Sequence, residues 1–523
     1  MKCILALLPL TLAAARPPAD YLIVAPARLA SGFEPLIHWK TRKGLWTELV
    51  PIETVLVRSS GRDRAEKLRN FICRWHDSLG TSWVLLAGDT TTVPTRMVAT
   101  PGNITELSPC DMYFSDLDRD WDANGNDRFG EETDSVDMYA DVDVGRAVVC
   151  DTAQVSAVVR KWLEFELGPE SGYLRKLLLA GDSLSLTLPP GWFLGSLSRP
   201  PTRQELPDSL NSGYQFVSHV GHSDGTMLLV GTQVVLNLAD VYNLRNRNRQ
   251  NVFLTVGSQA GAIDRPSIGT ALLAQPDAGS VAVLANSRAG WLGRSEMLSH
   301  LFLARFFATD TLYEIGRNFS CARNTYVPLA RTDRYWRQTL YVWHLLGEPG
   351  LSCWKDTAQA LDVTHPVVID TGFQDFPVEV RSGGAPVRGF VCLWQDDQVY
   401  QRCWVQGSGS ITIHPRVPGE LLVTVTSPDH RPYLGSCGIA TACAEPHAHR
   451  PMRCLCRPSR AGIVVQTSLP ARVRVFDAAG RCEQGWTGLR PDVCQELSLR
   501  PGIKFVVLAT DGDLLCRKVA IIR

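Results

Sequence analysis

The chain has 523 residues, 45% of them apolar and 20% charged, and its 53 basic and 53 acidic side chains leave no net formal charge. A chain of that length exceeds a single hydrophobic core and implies about two to four domains. Zero net charge removes the electrostatic footprint of a nucleic-acid binder, and past the N-terminus no run approaches the ~18 apolar residues of a membrane-spanning helix.

At the N-terminus, Lys2 precedes the apolar run from Ile4 to Leu12, and Ala13, Ala14 and Ala15 are small enough for a cleavage site. Residues 1–15 therefore read as a secretory signal. With the first strand starting so soon after Ala15, no pro-segment is expected. An exported chain is disulfide-permissive, and loss of Cys3 leaves 14 of the 15 cysteines, an even number.

Tyr21-Leu-Ile-Val-Ala reads as a strand, and helical spacing follows from Phe33 to Lys40. The alternation repeats with Thr47-Glu-Leu-Val-Pro-Ile, a helix around Ala65–His76 and a strand from Trp83 to Asp89. Strands alternating with helices predict βαβ units and a mostly parallel sheet. His38 and His76 fall inside helical patterns and read as surface or packing residues. The first half of this domain is assigned to residues 16–150.

The segment after Cys110 is acidic. From Asp120 it follows the spacing Asp120-x-Asp122-x-Asn124-Gly125-Asn126, with Glu131 closing the run. Alternating oxygen donors, a glycine for the sharp turn and a late glutamate are what a calcium loop requires. Asp120, Asp122, Asn124, Asn126 and Glu131 are the expected ligands, without the paired helices of an EF-hand. Tyr139-Ala-Asp141-Val-Asp143-Val-Gly145-Arg146 then reads as another strand.

A second βαβ half, 151–365, opens with a helix over Ala153–Glu166 and a strand ending Leu177-Leu-Leu-Ala-Gly-Asp182. Three apolar runs follow, each stopping abruptly at small and polar residues. The first ends in His219-Val-Gly221-His222, the second in Val256-Gly257-Ser258-Gln-Ala-Gly261, the third in Asn286-Ser-Arg-Ala-Gly-Trp291. Ligands and chemistry gather at the carboxyl ends of parallel strands. An imidazole there can take a proton from a hydroxyl, and a carboxylate behind it fixes the tautomer. His222 follows a glycine that lets the backbone turn, so it is the expected base; His219 reads as a strand residue. Ser258 is the expected nucleophile and Asp141 the orienting carboxylate. Backbone amides at Gly221 and Gly257 are expected to receive an oxyanion. A serine-hydrolase elbow is excluded, because position 256 is valine where Gly-x-Ser-x-Gly needs glycine.

Beyond Val367 the strands become short and alternating. Residues 366–437 fit a small immunoglobulin-like β-sandwich. A cysteine-rich connector, 438–460, follows; Cys437, Cys443, Cys454 and Cys456 with His447 and His449 fit a disulfide-stapled loop better than a zinc module. Residues 461–523 form a last β module.

The motifs over about 21–365 resemble the gingipain-like cysteine peptidases, whose fold is related to that of the caspases. The matching blocks are Tyr21-Leu-Ile-Val-Ala-Pro, Val84-Leu-Leu-Ala-Gly-Asp89, the acidic stretch 111–131 and Asp141-Val-x-Val-Gly-Arg146. They continue through Gly221-His222, Gly257-Ser258-x-x-Gly261, the Gly279–Arg288 run and Leu346-Gly-Glu-Pro. The resemblance implies an α/β fold, a mostly parallel sheet flanked by helices, with small all-β modules after it. It implies hydrolysis of peptide bonds in protein or peptide substrates, with His222 as base and Asp141 orienting it. Ser258 stands where that family has its nucleophilic cysteine, so the alternative is an inactive homologue that binds peptides or acts in adhesion. The acidic loop resembles a calcium site of such peptidases. The last ~60 residues are similar to C-terminal sorting domains of type IX secretion, which implies a secreted or surface-attached protein.

Overall fold

The computed structural model describes residues 18–100, 103–184, 186–291, 293–308, 311–441, 454–459, 462–467, 471–478, 481–490, 494–509 and 514–521. The signal segment 1–15, Cys443, His447 and His449 lie outside them. The described residues fall into two compact units.

The first unit comprises residues up to His365 together with 378–409 and 422–436. Its strands are β1 (Tyr21–Ala25), β2 (Thr47–Pro51), β3 (Trp83–Ala87), the hairpin β4 (Arg96–Thr100) and β5 (Asn103–Cys110), β6 (Asp143–Ala147), β7 (Lys176–Ala180) and β8 (Phe193–Ser196). They continue as β9 (Phe216–His219), β10 (His222–Ser223), β11 (Met227–Val230), β12 (Gln233–Asn237), β13 (Asn251–Thr255), β14 (Ser280–Asn286) and β15 (Trp343–Gly347). Ten of these strands make one sheet in the order β2-β1-β3-β6-β15-β14-β13-β9-β7-β8.

Every neighbouring pair in that sheet is parallel except β14 and β15, which run antiparallel. The reversal is what sets the site. It brings the carboxyl ends of β14, β13, β9 and β7 and the amino ends of β15 and β6 to one edge. β1, β6, β13, β14 and β15 are buried along their whole length, as expected of strands covered on both faces by helices.

The helices are α1 (Glu34–Arg42), α2 (Ile52–Arg58), α3 (Arg64–Leu79), α4 (Thr152–Leu167), α5 (Glu205–Ser212), α6 (Leu238–Tyr242), α7 (Ile268–Ala274), α8 (Arg294–Ala308), α9 (Ile315–Ala330) and α10 (Arg334–Val342). Local chemistry explains their ends. Asp63 caps α3 by accepting from the Glu66 N–H, and Gly80 closes it in the left-handed region at φ 73°. Asp151 caps α4 in the same way through Gln154. The strand expected from Tyr139 begins only at Asp143. Residues 139–142 form no ladder because the Asp141 and Val142 amides turn to the Ser115 carbonyl.

Strands Arg388–Gln395 and Val399–Gln406 pair antiparallel, and residues 422–426 pair on the other side of the first. They belong to the first unit, where Arg402 donates to the Asp20 carboxylate at 3.0 Å and Arg42 to Thr424 at 3.0 Å. The β module expected at 366–437 is thus divided between the units.

In the second unit, two sheets contribute to one apolar cluster: Ile463, Val465 and Leu497 from one, Val473, Val475 and Val506 from the other. The Sγ atoms of Cys454 and Cys456 lie 3.2 Å apart. The stapled loop expected there includes Cys443, which lies outside the described residues.

Candidate functional site

Register fixes the site. Ala180, His219, Thr255 and Ala285 lie in one row across β7, β9, β13 and β14. His222, the first residue of β10, and Ser258, in the turn after β13, each come three residues after that row. Both residues therefore follow strands that end at the same edge of the sheet.

Two glycines make the approach possible. A Cβ on Gly257 would stand 2.7 Å from the Ser223 Cβ and 3.6 Å from the His222 carbonyl oxygen. A Cβ on Gly221 would stand 1.9 Å from the Leu229 carbonyl oxygen. Only glycine lets β9 double back as β10 against β11 and lets the Ser258 turn close on it.

Behind them, His219 is fully buried. Its Nε2 donates to the Leu229 carbonyl at 3.1 Å, and its Nδ1 takes the Thr255 hydroxyl at 2.9 Å. Burial pushes its pKa down to about 4, so it is a neutral strut between strands, as the sequence implied. Thr255 Oγ1 also accepts the Gly257 N–H at 3.1 Å. That amide, expected to face an oxyanion, is instead held by the threonine.

Ser258 is half-buried and His222 exposed. The Ser258 Oγ accepts from the Gly290 N–H at 3.3 Å, and no hydrogen bond among the described residues joins it to the His222 ring. The turn is clamped to the loop after β14. Gln259 N–H donates to the Arg288 carbonyl at 3.0 Å, Gly261 N–H to the Asn286 carbonyl at 2.9 Å, and the Asn286 amide to the Val256 carbonyl at 3.0 Å. Arg288, nearly buried, forks onto Asp264 at 3.0 and 2.7 Å. These anchors hold Gln259 at φ 60°, a left-handed conformation that non-glycine residues adopt under constraint.

Asp141 is not brought to His222. Its carboxylate accepts the Leu117 N–H at 2.7 Å and is solvent-exposed. It precedes β6, and β15, β14 and β13 stand between β6 and β9. At ~4.8 Å per strand spacing, that is about 19 Å along the edge. The carboxylate on the strand next to β9 is Asp182, two residues past Ala180 on β7. It is buried, and accepts from the Ser218 hydroxyl and from His300 Nε2 at 2.8 Å. Burial alone would raise its pKa; the His300 and Ser218 hydrogen bonds hold it below the usual carboxylate range. The signal was present in the run that stops at Gly181-Asp182, but its relevance depends on strand order.

The acidic loop is held by its own side chains. Gly125 turns at φ 69°. The Asn126 N–H donates to Asp122 Oδ1 at 2.9 Å, and the Asp122 N–H to Asp120 Oδ1 at 2.9 Å. The side-chain amides of Asn124 and Asn126 reach Glu131 Oε2 at 3.2 and 2.7 Å. Two of these carboxylates already face arginines, Asp122 from Arg62 at 2.5 Å and Glu131 from Arg128 at 2.9 Å. Beside the loop, ligand atoms of Asp116, Asp118 and Asp137 lie within 4.8 Å of one another. Asp116 is fully buried, and its Oδ1 has no hydrogen-bond partner among the described residues.

The sequence profile of peptidase family C25 matches residues 14–354. No curated protein matches the chain. Among solved structures, the complex of pro- and mature domains of RgpB from Porphyromonas gingivalis is similar over 80% of this chain and all of that one, at 17% identity and TM-score 0.66. The Arg-specific cysteine proteinase gingipain R (RgpB) is similar over 82% of this chain and 99% of that one, at 17% identity and TM-score 0.66. A structure described as a protease covers 81% of this chain and 98% of that one, at 14% identity and TM-score 0.65. At these identities the likeness is one of fold.

Proposed function

The chain belongs to peptidase family C25, and from that premise we propose that it is an exported peptidase in which Ser258 replaces the family's cysteine and His222 is its base. The observation that carries the reading is the shared three-residue offset of His222 and Ser258 beyond the His219–Thr255 row. In the reaction, Ser258 Oγ attacks the scissile carbonyl carbon as its proton passes to the imidazole. The imidazolium then gives that proton to the departing amine, and His222 next draws a proton from water that hydrolyses the ester. A thiol can be stored as a thiolate beside a histidine; a serine hydroxyl must lose its proton during attack. The base therefore has to reach the oxygen itself, and the exposed His222 ring must swing over Ser258.

A second reading, an inactive homologue that holds peptides in the same crevice, is favoured by one observation: the Ser258 hydroxyl accepts from Gly290 and does not donate to His222. Incubation of the purified protein with a fluorogenic peptide library separates the two. Cleavage abolished by Ser258→Ala supports the peptidase. A silent parent whose Ser258→Cys variant cleaves supports the inactive homologue.

We further assign residues 1–15 to export and 461–523 to a surface-sorting module, on the composition and resemblance given above. A structural calcium ion held by Asp120, Asp122, Asn124, Asn126 and Glu131 is supported by their spacing and by the Gly125 turn. The ion would supply a hard cation for oxygen donors and cross-link the segment. Calcium should raise the melting temperature, and Asp120→Asn should remove most of that gain.

A further inference from the structure

α4 carries a buried lysine that the reaction above does not use. Lys161 is fully buried, and its Nζ donates to four main-chain carbonyls: Leu273 at 2.6 Å, Ala278 and Ser280 at 3.1 Å, and Leu272 at 3.4 Å. Among the described residues no carboxylate pairs with it; Glu164 and Asp277 face Arg160 and Arg247 instead. Leu272 and Leu273 lie in the last turn of α7, where helix carbonyls have no partner further along the helix. Ala278 belongs to the connection that follows, and Ser280 is the first residue of β14. Carbonyls only accept, and an ammonium offers three N–H groups and no acceptor, so one side chain closes both the helix end and the strand start. Positive charge there also suits the helix dipole. Gly279 makes the turn tight enough, at φ 77°; a Cβ on it would stand 2.2 Å from the Leu272 carbonyl oxygen.

The far ends of the same two elements hold the candidate centre. In the first turn of α7, Ile268 N–H donates to the Gly225 carbonyl at 2.7 Å and Gly269 N–H to the Ala260 carbonyl at 2.8 Å. Gly225 follows His222 in the turn between β10 and β11, and Ala260 follows Ser258. Amides that a helix start leaves without intrahelical partners therefore bind both segments. Ser267, which caps α7, adds its hydroxyl to the Ala262 carbonyl at 2.9 Å. Asn286, the last residue of β14, holds Val256 and Gly261. α7 and β14 are two arms of one frame, which carries the His222 and Ser258 segments at one end and is closed by Lys161 at the other.

We propose that Lys161 is a positioning residue for the reaction: by fixing the carboxyl end of α7 against the amino end of β14, its ammonium sets the placement of the His222 and Ser258 segments. This role rests on the peptidase reading above. Serine attack requires the imidazole to reach the hydroxyl, and a misplacement of about 1 Å can cost ~10²-fold in rate. The seven residues of β14, at ~3.3 Å each, put about 20 Å between its ends, so Lys161 acts only through the frame.

Hydrogen exchange and kinetics on the full-length protein test this together. Burial pushes the Lys161 pKa down to about 7, so both are measured near pH ~6, where the side chain is an ammonium. In Lys161→Met, which keeps the length and removes the donors, the amides of 223–226 and 257–262 should exchange at least ~10-fold faster, with those of α3 unchanged. In the parent if it cleaves, otherwise in Ser258→Cys, the same change should lower kcat about 10–100-fold and leave KM within about threefold. Lys161→Gln, with two N–H donors on a shorter stem, should fall between, and it carries both readouts if Lys161→Met does not fold. Exchange that quickens equally in every element marks a merely structural lysine and overturns the proposal, as does unchanged exchange in the two segments or a loss confined to KM. If neither the parent nor Ser258→Cys cleaves, the peptidase reading fails; selective exchange then still supports the frame, and uniform exchange still overturns it.

Discussion

Two polar clusters in the first unit are built by opposite rules. Under α1 and α4, Lys40 is fully buried with Nζ 2.6 Å from Glu348 and 3.1 Å from Glu166, and it donates to the Gly350 carbonyl at 2.9 Å. Lys43 adds a second charge to Glu166 at 3.0 Å, and the Ser352 N–H donates to the same oxygen at 2.9 Å. Here full charges are closed off from water and balanced two against two. In the row that ends β9 and β13, the buried groups are neutral, His219 and Thr255, while the groups able to react, His222 and Ser258, lie beyond it, exposed and half-buried. Buried ions are costly to disturb and fix the packing; a reactive edge needs neutral support beneath and solvent access above.

The contrast can be broken from either side. The largest effect is expected from His222→Ala, in the parent or in a cleaving Ser258→Cys variant. Peptide cleavage should fall about 10²–10⁴-fold, while stability stays within ~0.5 kcal/mol because the residue is exposed. A steady-state assay beside a urea melt checks both halves; unchanged turnover would remove His222 as base.

Glu166→Ala should do the reverse. It leaves Lys40 and Lys43 under-compensated and should cost about 3–5 kcal/mol of stability, measured by urea unfolding. Burial opposes ionisation of Glu166, but the Lys40 and Lys43 charges and its hydrogen bonds hold its pKa at about 2. Its contribution should therefore be complete above the unfolded value near ~4.3 and drain away as pH falls toward ~2.

His219 should show a milder acid limb at higher pH. Its folded pKa of about 4 lies below the unfolded ~6.5. The unfolded chain takes up the proton first, so stability should fall by about 3 kcal/mol as pH drops from ~6.5 to ~4. His219→Gln should flatten that limb, and an undiminished slope would show that the histidine is not the buried strut described. The smallest change is Gly257→Ala. With Ser223 Cβ only 2.7 Å from the added methyl, it should cost about 1–3 kcal/mol and separate the His222 and Ser258 segments, so cleavage should drop more than stability.

Much of this was legible in the residues themselves. The helix expected around Ala65–His76 spans Arg64–Leu79 because Asp63 and Gly80 cap it, and the Phe216 and Asn251 strands stop where their apolar runs meet glycine. The preference for His222 over His219 also rested on local pattern, since a glycine before the histidine permits the turn. Asp141 failed for a reason no local pattern contains. It lies at the right edge, but three strands intervene, and its carboxylate is used to tie down residue 117.

The sequence by itself determined the elements, their alternation, and which residues end each strand, because backbone propensity, capping and turn chemistry act over a few residues. Strand order, the single reversal between β14 and β15, and the partners of Asp141, Asp182 and Gly257 were decided by the tertiary structure. Those depend on contacts between residues tens to hundreds apart, where the balance of burial and pairing is struck over the whole sheet.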